Sequence, residues 1–178
     1  MDTSLSIDKF DTAWLESLAL EEITMESSGY IRFTDAANPT QLLEEASVTF
    51  MNRLQDRFQF YVSLFNQYQT RQGQAHPIKV FKIANTVNDF MMFRNSLKLI
   101  VARRSADVIS IGFLSTSGGL FAPHIPGDAA AVGMPQRHEL KAHVGPFNSI
   151  TWRYQGEVVE LEALVRFYLS EFVRNSAR

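Results

Sequence analysis

The chain has 178 residues, 46% hydrophobic and 20% charged, with a net charge of −2 and no cysteine. That suits one globular domain able to bury a core without staples, and it excludes disulfides, thiolate metal sites and thiol catalysis. No apolar run reaches the roughly 18 residues that span a bilayer. The start, Met1-Asp2-Thr3-Ser4, has neither the basic nor the apolar stretch of a secretory signal. A cytoplasmic protein with no membrane partner is therefore expected, bacterial by default.

Charge is unevenly spread. Residues 1–45 hold ten acids against Lys9 and Arg32, a net −8, while residues 79–104 hold six bases against Asp89, a net +5. Either the two blocks neutralise each other within one domain, or the basic block faces an anionic partner.

In chain order, residues 7–27 read as a helix, with Phe10, Trp14 and Leu18 at i, i+4, i+8 and Leu15 and Leu20 beside them. Ser27-Ser28-Gly29 ends it. Residues 1–36 thus form an acidic helical leader, with a short extended piece over 30–33. A long helix over 39–70 follows, opened by Asn38-Pro39, since proline suits a first helical turn. Leu43, Phe50, Leu54, Phe58, Tyr61, Phe65 and Tyr68 recur at helical intervals. Met51, Val62 and Leu64 widen that face, and Phe60 lies off it. A face so wide implies a sheet on one side and a second contact on the other, either the first helix or a second subunit.

Strands follow at 78–84, 90–94, 97–103 and 108–114. In the third, Leu97, Leu99 and Val101 share one face and Lys98 and Ile100 the other. The fourth is apolar on both faces except at Ser110, the mark of a central strand. Residues 117–136 carry four glycines and three prolines and read as a loop, a candidate lid. Next comes a strand pair. Leu140, Ala142 and Val144 alternate with Glu139, Lys141 and His143; Ile150, Trp152 and Tyr154 alternate with Thr151, Arg153 and Gln155. A terminal helix is expected over 157–174. The fold class is α+β: a single domain over 1–178, its antiparallel sheet of five or six strands packed on the 39–70 helix and the terminal helix.

Recognised chemistry is missing. His76, His124, His138 and His143 form no helical ligand pair, and His138 and His143 should face opposite sides of their strand. Ser115-Thr116-Ser117-Gly118-Gly119 follows a strand as a phosphate loop would, but no Gly-Lys-Ser/Thr or helix start follows it. No catalytic residue, metal site or cofactor is assigned. The informative cluster is cationic. Lys141, His143 and Arg153 fall on the non-core faces of two adjacent strands, with Lys98 or Arg103 joining if strand order allows.

Three functions are expected from these features. The first is a non-catalytic interaction or adaptor domain, expected as a homodimer, with Phe60, Leu64 and Tyr68 as partner anchors. The second is a pocket between sheet and helices for an anionic small molecule, held by Lys141, His143, Arg153 and Lys98 under the 117–136 lid, with weak enzymatic activity as an open addition. The third is nucleic-acid binding through 79–104, where Phe90 and Phe93 adjoin the basic block.

Overall fold

In the computed structural model, the described residues are 12–29, 38–73, 76–126 and 136–177. The chain divides into two units, Met1–Asn38 and Pro39–Arg178. The first contains α1 (Ala13–Ser28), which ends where Gly29 adopts a left-handed φ of 64° and returns its N–H to the Met25 carbonyl. The helix expected over 7–27 is therefore present from residue 13, and residues 7–11 lie outside the described set. At 100° per residue, Trp14 and Leu18 are neighbours but Leu20 and Ile23 lie on the far side, so the expected stripe does not close. No α1 residue is buried. The extended piece expected over 30–33 also lies outside the described residues.

The second unit opens with α2 (Pro39–Arg71), matching the expected long helix. Eight strands follow, all in one antiparallel sheet: β1 (Lys79–Lys82), β2 (Phe90–Arg94), β3 (Leu97–Ser105), β4 (Val108–Leu114), β5 (Leu120–Phe121), β6 (His138–Val144), β7 (Ile150–Tyr154) and β8 (Glu157–Val158). The terminal helix is α3 (Leu161–Ser176). Strand order is β1-β2-β3-β4-β6-β7-β8, with β5 paired to β4. The α+β class stands, but the sheet has seven strands in its main path plus β5, not five or six.

The two additional strands were hidden for local reasons. Within the Gly/Pro-rich stretch, Ser115 to Gly119 closes a tight reversal, with Gly118 at φ 80°, that lays Leu120 opposite Leu114 and Phe121 opposite Phe113. Phe121 meets Phe113 edge-on at 5.3 Å, and Ala122 behind it is fully buried. The stretch is thus anchored at its start, and only residues 127–135 of the expected lid lie outside the described set. At the other end, Gln155 and Gly156 both take positive φ, 49° and 89°, as a two-residue hairpin turn requires. Glu157 and Val158 then pair back on β7, and α3 begins at Leu161 rather than 157.

Both long helices cover one face of the sheet. Phe50, Met51, Leu54, Phe58 and Val62 of α2 and Val165, Tyr168 and Phe172 of α3 pack on Phe90, Leu99, Val101, Ile111, Phe113 and Leu140. β4 is the central strand its composition implied, paired with β3, β5 and β6. The second contact of the wide α2 face is α3. Arg57 Nε and the Tyr61 hydroxyl reach the two carboxylate oxygens of Glu162, at 2.7 and 2.9 Å.

Polar anchors set where the helices sit. Asn66 of α2 donates to the Ile78 carbonyl at 2.8 Å and accepts from the Ile78 N–H at 2.9 Å, holding the entry to β1. Arg94, 8% exposed, donates to the His76 carbonyl at 3.0 Å and lies 5.5 Å from the Phe65 ring. Asn95 in the β2–β3 turn donates to the Ser176 carbonyl at the end of α3. Because Ile78 is buried, Asn66→Ala leaves both of its backbone groups unpaired. Urea unfolding of this variant should show a loss of about 2 kcal/mol; an unchanged midpoint would show that water replaces the side chain.

Candidate anion-binding groove

The alternation of β6 and β7 sorts their side chains cleanly. His138 and Leu140 are buried toward the helices, and Trp152 joins them from β7. Glu139, Lys141 and His143 point the other way and are exposed. Lys141 stands opposite Arg153 and His143 opposite Thr151. Three of the four cations expected to form a ligand site therefore share the helix-free face of one hairpin. They line a groove of about 790 Å³ together with Arg137, Glu139 and Gln155.

Lys98 does not join them, which corrects the expected ligand set. It lies on the same face of the sheet, but opposite Leu114, whereas Lys141 lies opposite Val108. Those β4 positions are six residues apart, about 20 Å at the rise of a strand. Arg103 is excluded for a different reason. It continues the in-facing alternation of Leu97, Leu99 and Val101, opposite the buried Ile109, and so faces α2, where it bonds Glu44 at 2.7 Å and the Ser47 hydroxyl at 3.0 Å. With Arg94 also buried and Lys98 far along the sheet, the basic block of 79–104 is divided among several places. Its pairing with Glu44 is one case of the acidic and basic blocks neutralising each other.

Within the groove, Arg137 and Glu139 pair at 3.6 Å. Arg153 Nε donates to Thr151 Oγ1 at 3.4 Å. Among the described residues, no carboxylate forms an ion pair with Lys141 or Arg153. Like charges placed directly opposite on neighbouring strands repel, and Glu139, the one carboxylate among the described lining residues, is paired with Arg137 and relieves them only in part. An anion bound between the two would relieve them further.

Sequence reasoning missed the polar cluster beneath this hairpin. His138, 2% exposed, hydrogen-bonds through Nδ1 to the Tyr168 hydroxyl and lies 5.2 Å from the Tyr154 ring. The available signal was a histidine at the in-facing parity of an otherwise apolar strand face. Burial, with a smaller contribution from Tyr154, pushes the Tyr168 phenol far above its ordinary value. The four histidines do not converge: His76 and His124 are exposed, His138 is buried and His143 faces the groove. Among the described residues, no three potential metal ligands come together.

The expected partner anchors lie elsewhere. Phe60 and Tyr68 are 55% and 61% exposed, with the half-buried Leu64 between them on one ridge of α2. Tyr68 is thus not a core residue, although its spacing placed it in the core stripe. Beside the ridge, Tyr61 and Phe65 face Arg166, Leu169 and Val173 of α3 across a groove of about 430 Å³. No helix among the described residues is long and apolar enough to cross a membrane.

No protein-family model, no curated protein and no solved structure matches this chain.

The buried phenol has a measurable consequence. Above about pH 10 the unfolded chain loses this proton while the folded protein keeps it, so stability falls as pH rises past that point. Urea unfolding followed from about pH 9 to about pH 11 should fall more steeply for the wild type than for Tyr168→Phe. Parallel profiles would remove Tyr168 as the source.

Proposed function

We propose that this protein binds an anionic ligand, phosphate- or carboxylate-bearing, in the groove on the helix-free face of the β6–β7 hairpin. The observation that carries this reading is the direct opposition of Lys141 and Arg153 with no ion-paired carboxylate among the described residues. Arg153, steered by Thr151, offers a planar fork suited to two oxygens of one anionic group, and Lys141 adds a point charge beside it. His143, one alternation further along the strand, extends the site toward the hairpin turn.

The reading is of binding, not catalysis. Among the described residues, the groove's one lining carboxylate, Glu139, is engaged by Arg137 and is poorly placed to serve as a general base. Isothermal titration with inorganic phosphate and with citrate should detect binding to the wild type. Arg153→Ala should weaken it at least about ten-fold, the worth of one charged hydrogen bond. Lys98→Ala, remote on the sheet, should leave it unchanged. Equal affinities for wild type and Arg153→Ala would refute the site.

A second reading rests on the α2 ridge, where Phe60 and Tyr68 leave large rings in water. Its occupant would be a second copy of this chain. The adjoining groove is lined by Phe65, Leu169 and Val173 beside Arg166 and the already paired Glu162, so the apolar ridge of a second copy could enter it about a two-fold axis. Native mass spectrometry should then show a dimer that Phe60→Asp with Tyr68→Asp converts to a folded monomer. A wild-type monomer at micromolar concentration would end this reading.

A further inference from the structure

The turn joining β6 to β7 is built against ordinary preference. Pro146–Asn148 forms a single 3-10 turn in which Phe147 sits at φ 57°, ψ 35°, in the left-handed region that bulky residues rarely occupy. Asn148 follows at φ 56°. The conformation aims the Phe147 ring away from the protein, and its relative exposure is 103%, the highest of any large apolar side chain described. Val144, at the base of the turn, is 41% exposed, and Pro146 is exposed beside it. An asparagine or glycine at 147 would relieve the backbone and spare the exposed ring, so nothing in the folding of the hairpin calls for phenylalanine here.

The same hairpin carries the cations. His143 lies one residue behind Val144, and the Lys141–Arg153 row lies three residues behind the Val144–Ile150 row, about 10 Å along the strands. An apolar tip with basic residues on one face of the hairpin, about 10 Å behind the base of its turn, matches the layering of a bilayer surface. There, apolar groups reach the acyl boundary some 5–10 Å below and anionic headgroups lie above them. We infer that the β6–β7 hairpin docks this protein tip-first on an anionic lipid surface, with Phe147 at the acyl boundary and Lys141, His143 and Arg153 among the headgroup phosphates and carboxylates. This rests on the anion-binding reading of the groove and names the source of the anion.

Charge complementarity selects this occupant. A protein partner of ordinary size needs about 800 Å² from each side, and a hairpin tip led by one ring offers far less. A lipid surface needs only a wedge and a collar of like-signed charge. This departs from the expectation of no membrane partner, which rested on apolar-run length, a measure of spanning segments alone. With one aromatic wedge and three collar residues, attachment should be weak, reversible and salt-sensitive. Each cation near an anionic surface contributes about a five-fold factor in affinity.

The test uses the full chain in co-sedimentation with vesicles of phosphatidylcholine alone and of phosphatidylcholine with phosphatidylserine, beside calorimetric titration with inorganic phosphate. The wild type should sediment with phosphatidylserine vesicles, not with phosphatidylcholine alone, and should be released by added salt. Phe147→Ser should reduce vesicle affinity at least about ten-fold while leaving phosphate binding intact. Phe147→Leu should retain both, which separates loss of the wedge from loss of the fold. Arg153→Ala should weaken both. If vesicles are bound equally by Phe147→Ser, or not bound by a wild type that still binds phosphate, the lipid assignment is overturned and the groove stands. If neither vesicles nor phosphate bind, the groove reading itself fails. If Phe147→Ser instead converts a dimer to a monomer, the tip is a contact between copies and the lipid assignment is again overturned.

Discussion

Burial of one face of the sheet against α2 and α3 decides which side of every strand meets water, and the surface chemistry follows from that choice. Met92, Leu99, Ile111, Phe113 and Leu140 lie at in-facing positions from the second strand to the sixth, and the rings of Phe58, Tyr168 and Phe172 close over them. A one-residue slip in any strand would turn this set outward, so register is set by the core. Once Leu140 and Trp152 are committed inward, Lys141 and Arg153 have no alternative but the open face. There the meander places them side by side.

Helix placement relies on a few polar contacts at element ends as well as on apolar packing. Asn66 satisfies both backbone groups of Ile78 where no strand partner reaches them. Arg94 at the end of β2 and Asn95 in the turn tie the β2–β3 hairpin to the last turn of α3. His138 and Tyr168 join α3 to β6 from inside the core. Buried polar groups of this kind contribute modestly when paired and cost more when one partner is lost, so they fix alignment more than they add stability. The consequence for function is rigidity beneath the β6–β7 hairpin: its inward face is held by His138, Leu140 and Trp152, while its outward face and tip are left open.

That hairpin concentrates features that folding alone does not explain. Two like charges oppose each other across the strands, and the turn holds a phenylalanine in a left-handed conformation with its ring in solvent. Each is unfavourable locally, and each becomes favourable in contact with an anionic, partly apolar surface. The α2 ridge of Phe60 and Tyr68 lies on the helix layer, remote in origin from this hairpin. Binding at one place does not require the other.

The sequence by itself determined the class and most of the elements. Period-two alternation located β6 and β7 to within a residue, apolar runs bounded by turn signals located β2 and β4, helical spacing with Pro39 located α2, and the two-faced apolar run marked β4 as central. It also put Lys141, His143 and Arg153 on one strand face, because side-chain direction in a strand is a local property. Only the tertiary structure decided what depends on pairing between distant segments. β5 and β8 are two-residue strands that exist because β4 and β7 offer free edges, and neither has a periodicity to read. Lys98 left the ligand set because register, not facing, sets position along the sheet. Arg103, in-facing by its strand alternation, found its partner Glu44 only through the packing of α2, and Tyr68 stayed outside because α3 covers only part of the α2 face. The prominence of Phe147 is likewise invisible in a Gly-Pro-Phe-Asn turn signal, which specifies a reversal but not the direction in which its ring will point.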